Sequence, residues 1–411
     1  MILLSHPFGN QNVRHAALAL ARAGLLCEFW TCIRWKESGL LDRYLPEGLR
    51  RELGRRSFPA ELDPFIRTSA WREWGRQIAP RLGLAALTKG EKSIFSVDGT
   101  FRALDRRVAR RLAACPGLTA VYGYDDGALA TFRAAKAAGM VTIYEHPITH
   151  WRKVRRLQEE EADLHPEWKP TLLALHDSAE KIARKDEELA LADLILAPST
   201  FSKESLSLAP GLSATIHVNP YGAPPISAAP RVPSDGKKLK VLFVGALGQA
   251  KGLSYVLEAA ARLTSHIELT LVGRRMSPSI PEPAALARWQ WFPSLPHDEV
   301  LRQMALHDVL VLPSLHEGFA LVLLEAMSQG MPVITSPNTG IGDILTDGRE
   351  GFLVPIRSAD AIVEKLEILI RNRALLAEMS AAARRTAAQC SWEGYERRLV
   401  AVLEPILRQR S

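Results

Sequence analysis

Strand and helix patterns alternate along this chain in two series, one on each side of a Pro- and Ser-rich segment. This alternation limits the folds that the chain can adopt. In the first half, the apolar segment Ile2–Ser5 precedes a helical pattern over 13–23. In the second half, 240–244 has the composition of a strand and 253–263 that of a helix. Strands and helices that alternate over short connections are typical of parallel, doubly wound sheets. The sequence therefore predicts an α/β protein with two Rossmann-like domains.

The domain boundaries follow from the same patterning. We predict an N-terminal domain over 1–224, a linker over 225–236 and a C-terminal domain over 237–390. The segment 391–411 is predicted to form a helix that packs back on the N-terminal domain. Ligands of doubly wound sheets bind at the carboxyl ends of the strands, so we expect a ligand site in the cleft where the domains face each other. Further strands are predicted at 25–32, 118–124, 140–144, 194–197, 267–272, 308–312, 332–335 and 351–354.

Composition excludes several other classes of protein. An apolar content of 47% excludes a disordered or collagenous chain. No apolar run is long enough to span a bilayer, and the run at Ile2–Ser5 is too short for a signal peptide. The spacing of the four cysteines fits neither a disulfide framework nor a zinc site, so we expect reduced thiols in a cytoplasmic protein.

The positive charge of the chain is concentrated in one span. Residues 34–111 contain 18 Lys and Arg against 10 Asp and Glu, while the whole chain has a net charge of +7. Trp35, Trp71 and Trp74 lie among these arginines. One interpretation is a solvated helical face, and another is a surface that attracts anionic lipid headgroups or an acidic acceptor. Nucleic acid is not expected as a partner, because no recognised nucleic-acid module is present.

The segment 312–327 is the most informative part of the sequence. A buried strand is predicted to end at its start, followed by a turn that contains Gly318 and by a helix that begins near Phe319. The backbone N–H groups of Phe319, Ala320 and Leu321 would then be free at the helix start. Together with the helix dipole, they are predicted to bind an anion such as a diphosphate.

Two carboxylates, Glu317 and Glu325, flank this predicted helix start. They are roughly 10 Å apart along the helix axis, which is too far for both to act on one bond. This separation suits an extended ligand whose two ends reach one carboxylate each. The alternative is purely structural, with Glu317 favoured by the helix dipole and Glu325 solvated or in an ion pair.

Several motifs of the second half resemble a known family. The run EGFALVLLEAMSQGMPVI resembles the signature of retaining nucleotide-sugar glycosyltransferases of family 4 (glycosyl transferases group 1). That family has the GT-B fold, with two Rossmann-like doubly wound domains of parallel sheet that face each other across a cleft. The N-terminal half resembles the family mainly in architecture. Further similar segments, in the same order and spacing, are KVLFVGALGQAKG at 240–252, LVG at 271–273, NTGIGDIL at 338–345, DGREGFLVP at 347–355 and the junction VNPYG at 218–222.

The resemblance implies roles for residues of the C-terminal domain. Glu317 would face the hydroxyl groups of the donor sugar and support positive charge at the anomeric carbon. Glu325 would bind the ribose hydroxyls, and Lys251 would neutralise the departing diphosphate. The segment from Gly318 to Leu321 and Gly245 would contact the donor.

The chain departs from the family at one position. The family commonly has a basic residue directly after the glycine that ends this strand, whereas this chain has Gly245-Ala246. The leaving group therefore lacks one cation unless another residue supplies it. Arg274, which follows the glycine at the end of the adjacent strand, is the predicted substitute.

Two positions of the N-terminal domain correspond to family sites. Gly9, in the loop between the first strand and the first helix, occupies the place of the family's glycine-rich loop. His146 follows a predicted strand, where the family has a histidine beside the donor sugar. A lone histidine at a strand end is otherwise more often structural. His150 and Trp151 are candidates for the acceptor pocket.

The resemblance implies a retaining transferase that moves a sugar from a nucleoside diphosphate sugar to a glycan or lipid-linked acceptor, as in bacterial polysaccharide or cell-surface glycan synthesis. No metal and no cofactor are expected, since no zinc, P-loop or nucleophile-elbow motif is present. The alternatives are a GT-B sugar-nucleotide epimerase, a phosphorylase and a non-catalytic nucleotide-sugar-binding scaffold. We expect a cytoplasmic location, with peripheral contact to an anionic membrane kept open by the basic span.

Overall fold

The computed structural model describes residues 1–36, 50, 53–54, 56–227, 236–277 and 286–408. Most of the predicted linker, and part of the basic span 34–111, lie outside the described residues. The described residues form two parallel β-sheets with helices packed around them, one sheet in each half of the chain.

The N-terminal sheet has seven strands in the order β3-β2-β1-β4-β5-β6-β7, and neighbouring strands are parallel. Its central strands are buried because helices cover both faces, which is why they read as continuous apolar runs. The strands are β1 (Ile2–Ser5), β2 (Leu26–Thr31), β3 (Ile66–Thr68), β4 (Ala120–Tyr124), β5 (Val141–Glu145), β6 (Leu194–Ala197) and β7 (Thr215–Val218).

Seven α-helices belong to this half in the described residues. Several begin at a side-chain cap, as where Ser199 Oγ accepts from the backbone N–H of Ser202 at 3.1 Å. The helices are α1 (Gln11–Arg22), α2 (Trp71–Ile78), α3 (Val97–Arg111), α4 (Leu129–Ala137), α5 (Trp151–Leu164), α6 (Ala179–Ala190) and α7 (Thr200–Ser205).

The C-terminal sheet has six parallel strands in the order β10-β9-β8-β11-β12-β13. These are β8 (Leu239–Val244), β9 (Ile267–Val272), β10 (Gln290–Phe292), β11 (Val309–Leu312), β12 (Val333–Thr335) and β13 (Gly351–Leu353). The helices are α8 (Leu253–Arg262), α9 (His297–Leu306), α10 (Leu321–Ser328), α11 (Ala359–Arg371), α12 (Arg373–Gln389) and α13 (Trp392–Arg408).

The last helix, α13, lies against α1 of the N-terminal half. The rings of Trp392 and His15 stack with their centroids 4.2 Å apart. Glu396 lies 2.7 Å from His15 Nδ1 and accepts from Arg22 Nη1 at 2.8 Å. An aromatic stack and a partly buried ion-pair group therefore join the end of the described chain to the first helix.

The structure confirms the predicted fold class and the predicted central strands, but three strands were missed. β3, β7 and β10 are short, and β3 lies in the basic span interpreted as helical. Strands near a sheet edge bury fewer side chains, so their apolar pattern is weak. Within the described ranges, no helix is long and apolar enough to cross a bilayer.

Candidate active site

A cavity of about 770 Å³ opens between the two domains at the carboxyl ends of β1, β8 and β11. Its position agrees with the general rule for ligand sites of doubly wound sheets. The N-terminal domain contributes Phe8, Gly9, Asn10, Gln11 and Arg14 to its wall. The C-terminal domain contributes Val244, Gly245, Ala246, Lys251, Leu295, His297, Val300, Leu312, Glu317, Phe319, Ala320, Leu321, Val322 and Glu325.

Lys251 and Glu317 form an ion pair in this cavity. Lys251 Nζ donates to Glu317 Oε1, and Ser314 Oγ donates to the same oxygen at 3.1 Å. Lys251 ends a short 3₁₀ turn that closes at Gly252, where φ is +72°. A Cβ at Gly252 would lie 2.5 Å from the carbonyl oxygen of Pro313, so only glycine lets the two loops approach this closely. Backbone geometry therefore presents the ammonium to the carboxylate.

The N-terminal domain holds the loop that carries Glu317. Thr149 Oγ1 donates to the carbonyl oxygen of Glu317 at 2.8 Å, and Ser199 Oγ donates to that of Gly318 at 2.6 Å. A Cβ on Gly318 would lie 2.0 Å from the carbonyl oxygen of Pro147. Gly318 does not line the cavity. Its missing side chain instead lets the two domains touch beside Glu317.

The start of α10 differs from the sequence prediction. The helix begins at Leu321, two residues after Phe319. The N–H of Ala320 donates to the carbonyl oxygen of Thr339 at 3.0 Å, and the N–H of Leu321 donates to that of Phe319 at 3.0 Å. These two groups are therefore not free for a phosphate, and the predicted set of three free donors is wrong. Phe319, Ala320 and Leu321 nevertheless line the cavity.

Glu325 lies on the same wall, one turn further along α10. Burial raises the pKa of its carboxyl group above the ordinary range, while the nearby His297 opposes this effect. His297 Nδ1 is 3.8 Å from Glu325 Oε1 and also lines the cavity. His297 was not among the predicted site residues, although we expect the segment 292–297 that it ends to influence base specificity. It is the first residue of a helix and follows Pro296.

The loop after β1 is shaped by its own histidine. His6 Nδ1 accepts from the backbone N–H groups of Phe8 at 3.1 Å and of Gly9 at 3.0 Å. Burial lowers the pKa of His6 to about 3, so the ring is neutral at physiological pH and can accept these bonds. Gly9 has φ of +58°, and a Cβ there would lie 2.4 Å from the ring of Phe58. Gly9 is thereby held at the cavity wall.

Arg14 is a cavity residue that the sequence analysis did not identify. It lies in the first turns of α1, where its Nε donates to the carbonyl oxygen of Gly9 at 2.9 Å. Its guanidinium carbon is also 5.4 Å from the ring centre of Phe58. In the described wall, Arg14 and Lys251 are the two side chains with a permanent positive charge. The sequence signal that could have identified Arg14 is its position in the first turn of a helix that follows the carboxyl end of a strand.

Arg274 does not take part in this cavity. Its side chain is exposed, and its carbonyl oxygen accepts from the backbone N–H of Leu247 at 2.8 Å. Gly245 and Ala246 do line the cavity, so the position without a basic residue belongs to the wall. The second cation on that wall comes from the opposite domain, as Arg14.

His146 is buried beside the cavity and is not part of its described wall. Its side chain has no hydrogen-bond partner among the described residues, and its Nδ1 lies 3.9 Å from Asp125 Oδ1. Burial lowers the pKa of His146 to about 4, so the ring is neutral at physiological pH. His150 and Trp151 also lie outside this wall, and Trp151 Nε1 donates to Asp186 Oδ1 at 2.8 Å.

The family model for glycosyl transferases group 1 matches residues 228–386. This match covers the C-terminal domain, including Lys251, Glu317 and Glu325. The N-terminal domain lies outside it. In the described residues, no group of three or more His, Cys, Asp or Glu side chains could hold a metal ion.

Two curated relatives are similar to the same region. A D-inositol 3-phosphate glycosyltransferase of Rhodococcus opacus (strain B4) is 30% identical over 174 residues, which cover 39% of each chain. The sulfoquinovosyl transferase SQD2 of Arabidopsis thaliana is 36% identical over 102 residues, which cover 24% of this chain and 20% of the relative. The chain spans about two fifths of the length of the D-inositol 3-phosphate glycosyltransferases that it matches.

Solved structures are similar over nearly the whole chain. A sucrose-phosphate synthase from Thermosynechococcus elongatus has a TM-score of 0.67 at 17% identity, with 99% of each chain covered. HepE of Anabaena, in complex with UDP and glucose, has a TM-score of 0.62 at 16% identity, with 98% of each chain covered. The chain therefore has the GT-B fold. For the N-terminal domain, the similarity to known proteins is a similarity of fold alone.

Proposed function

We propose that this protein is a retaining glycosyltransferase that moves a sugar from a nucleoside diphosphate sugar to an acceptor hydroxyl group. One observation carries the proposal: Lys251 and Glu317 are paired in the interdomain cavity, within the region that the family model matches. The likeness to HepE, whose structures contain UDP or UDP-glucose, supports a nucleotide-sugar donor.

The donor would lie along the wall formed by α10 and the loop before it. Glu325 would accept hydrogen bonds from the ribose hydroxyls at one end. Glu317 would contact the sugar at the other end and support positive charge that develops at the anomeric carbon. Both carboxylates line the cavity, so one extended ligand can reach both.

Lys251 and Arg14 would neutralise the diphosphate as it departs. Fixed positive charges aimed at a developing anion lower the barrier because they need no reorganisation at the moment of bond cleavage. Lys251 comes from the C-terminal domain and Arg14 from the N-terminal domain. The second cation would therefore act only when the domains face each other closely.

A front-face mechanism fits these residues better than double displacement. Glu317 is the carboxylate proposed at the sugar, and its ion pair with Lys251 makes it a weak nucleophile. The bond between the anomeric carbon and the phosphate oxygen would break, and the acceptor oxygen would bond to the same face of that carbon. The acceptor proton would pass to the departing diphosphate, so the charge balances without a metal.

The first experiment is a thermal-shift panel of UDP, GDP and ADP sugars, followed by mass spectrometry of products made from the best donor. We expect stabilisation by one donor series and transfer to an added sugar or lipid-linked acceptor, with unchanged rate in chelator. The anomeric configuration of the product, read by NMR, tests retention. Conversion of the donor alone to another nucleotide sugar would indicate an epimerase, and phosphate-dependent cleavage a phosphorylase. Binding without any reaction would indicate a scaffold.

We further propose a glycan or lipid-linked acceptor of bacterial polysaccharide or cell-surface glycan synthesis, and a cytoplasmic protein in contact with the membrane. The charge excess of 34–111, which lies in the half that would bind the acceptor, supports this. Comparison of lipid-linked and free sugar acceptors in the same transfer assay tests it. Transfer only to free sugars would contradict the lipid-linked acceptor.

A further inference from the structure

Exposed apolar side chains are concentrated in one segment of the N-terminal domain. Thirteen large hydrophobic side chains are exposed in the described part of the chain, and seven of them lie between residues 71 and 97. Isolated exposed apolar residues are ordinary, but a cluster of them marks an interaction surface. We name this cluster the 71–97 surface: Trp71, Ile78, Leu82, Leu84, Leu87, Ile94 and Val97.

The 71–97 surface belongs to a segment that folds on itself. The backbone N–H of Phe95 donates to the carbonyl oxygen of Leu87 at 3.0 Å, and the rings of Phe95 and Trp71 meet edge to face at 5.9 Å. Gly75 of α2 faces the same ring, since a Cβ there would lie 2.2 Å from it. The helix and the chain that follows it are therefore held together, so the exposed apolar side chains belong to one folded segment.

The charged residues of the 71–97 segment itself are mainly positive. Residues 71–97 contain five Lys and Arg against two Glu. Of the two acids, Glu73 is buried and paired with Arg56 and Arg76. The side chains of Arg81, Lys89 and Lys92 are exposed at the rim, and Lys92 Nζ lies 3.3 Å from Oε2 of the exposed Glu180. Exposed apolar groups bordered by cations are complementary to a bilayer with anionic headgroups.

The helix that carries part of this patch contacts a residue of the cavity wall. The guanidinium of Arg76, in α2, lies 5.3 Å from the ring centre of Phe8, and Phe8 lines the cavity. A bilayer in contact with the 71–97 surface would therefore lie beside the cleft.

We propose that the 71–97 surface docks on an anionic lipid bilayer, with its apolar side chains inserted among the headgroups and its cations against the phosphates. This proposal deepens the proposed function, because docking would bring the cleft to a lipid-linked acceptor. Only that link to the acceptor rests on the proposed function. A second copy of the chain is a poorer occupant, since two such surfaces would bring like charges together.

The test is flotation of the full chain with vesicles of phosphatidylcholine alone, or with about one third phosphatidylglycerol. We expect binding that requires the anionic lipid and an about ten-fold loss of bound protein in the double variant Leu82→Ser/Leu84→Ser. The matched control is Leu164→Ser/Leu306→Ser. The side chains of Leu82 and Leu84 are 68% and 51% exposed, and those of Leu164 and Leu306 are 59% and 55% exposed.

A second variant tests the charges without altering the apolar patch. Lys89→Gln/Lys92→Gln should lower binding to anionic vesicles by about 30-fold, because each of the two cations near such a surface contributes on the order of 1 kcal/mol. Wild-type protein that does not float with anionic vesicles would overturn the proposal, as would equal flotation of the surface and control variants. A dimer in sedimentation velocity that Leu82→Ser/Leu84→Ser dissociates would overturn it in favour of a second copy. Flotation needs no donor, and the thermal shift with donor needs no vesicles. Failure of the docking proposal can therefore be distinguished from failure of the proposed function.

Discussion

The ammonium of Lys251 donates a hydrogen bond to the carboxylate of Glu317 inside the interdomain cavity. The two side chains come from loops after β8 and β11, which are neighbouring strands of one sheet. An ammonium has three N–H donors, so in the proposed reaction Lys251 would contact the diphosphate of the donor while it stays paired with Glu317. The paired carboxylate would then support positive charge at the sugar without attacking it.

The first prediction concerns Lys251. Lys251→Met should lower kcat/KM for transfer at least 100-fold, because a fixed charge on a departing phosphate is worth about 3 kcal/mol or more. Lys251→Arg, which keeps the charge, should retain more activity than Lys251→Met. Initial rates with the donor from the thermal-shift panel measure both. Lys365→Met on α11 is the control, and an equal loss in this variant would contradict the assignment.

The second prediction concerns Arg14. Arg14→Met should lower kcat about 10- to 100-fold while circular dichroism stays unchanged, because the second cation near the leaving group is lost. Arg22→Met provides a control on the same helix, since Arg22 pairs with Glu61 and Glu396 away from the cavity. Near-normal turnover of Arg14→Met would exclude Arg14 from leaving-group stabilisation.

The third prediction concerns the contact between the domains. Gly318→Ala should lower kcat/KM at least ten-fold, because its Cβ would overlap the carbonyl oxygen of Pro147 and push the domains apart. Gly342→Ala is a matched control in the same domain, since a Cβ at Gly342 would meet nothing within 4 Å. Steady-state kinetics of both variants, with small-angle scattering for domain separation, measure the effect. Equal kcat/KM values for the two variants would show that the close approach of the domains at Gly318 is not needed for activity.

The fourth prediction concerns a buried carboxyl group behind the cavity. Glu145 accepts from Tyr122 OH, and from Tyr221 OH at 3.0 Å. Burial raises the pKa of Glu145 from 4.5 to about 7. Between these values the folded protein holds a proton that the unfolded chain releases. The stability from this group is therefore complete below pH 4.5 and is lost as the pH rises through about 7, by on the order of 3 kcal/mol.

Glu145→Gln keeps the shape of the side chain and removes its titration. We expect the Tm of this variant, relative to the wild-type Tm, to be several degrees higher at about pH 8 than at about pH 5. Thermal unfolding of both proteins at the two pH values measures the difference. The same Tm difference at both pH values would show that Glu145 is already ionised in the folded protein.

Central elements of the fold were predictable because burial on both faces leaves a strong pattern. Ile2–Ser5, Leu194–Ala197 and Ile267–Val272 have the same bounds in the structure as in the sequence analysis. The strands β3 and β10 lie at sheet edges, where few side chains are buried, and each has only three residues, too few to show an apolar pattern.

Local sequence also brought several candidate residues to the correct sheet edge. Lys251, Glu317 and Glu325 line one cavity because each belongs to a segment that follows a parallel strand of the same sheet. The position of Arg14 depends on how two domains face each other, and no pattern within α1 reports this. Arg274 was chosen for its neighbouring glycine, but its side chain points into solvent.

The sequence by itself determined the two doubly wound domains, the approximate ends of their central strands and the carboxylates beside α10. These depend on hydrophobic periodicity and on turns, which act over a few residues. Only the tertiary structure decided that Gly318 is a point of contact between domains and that Arg14 lines the same cavity as Lys251. It also decided that the apolar residues of the 71–97 surface are exposed and belong to one folded segment. Such relations join residues far apart in the chain, and they exist only after packing has brought their elements together.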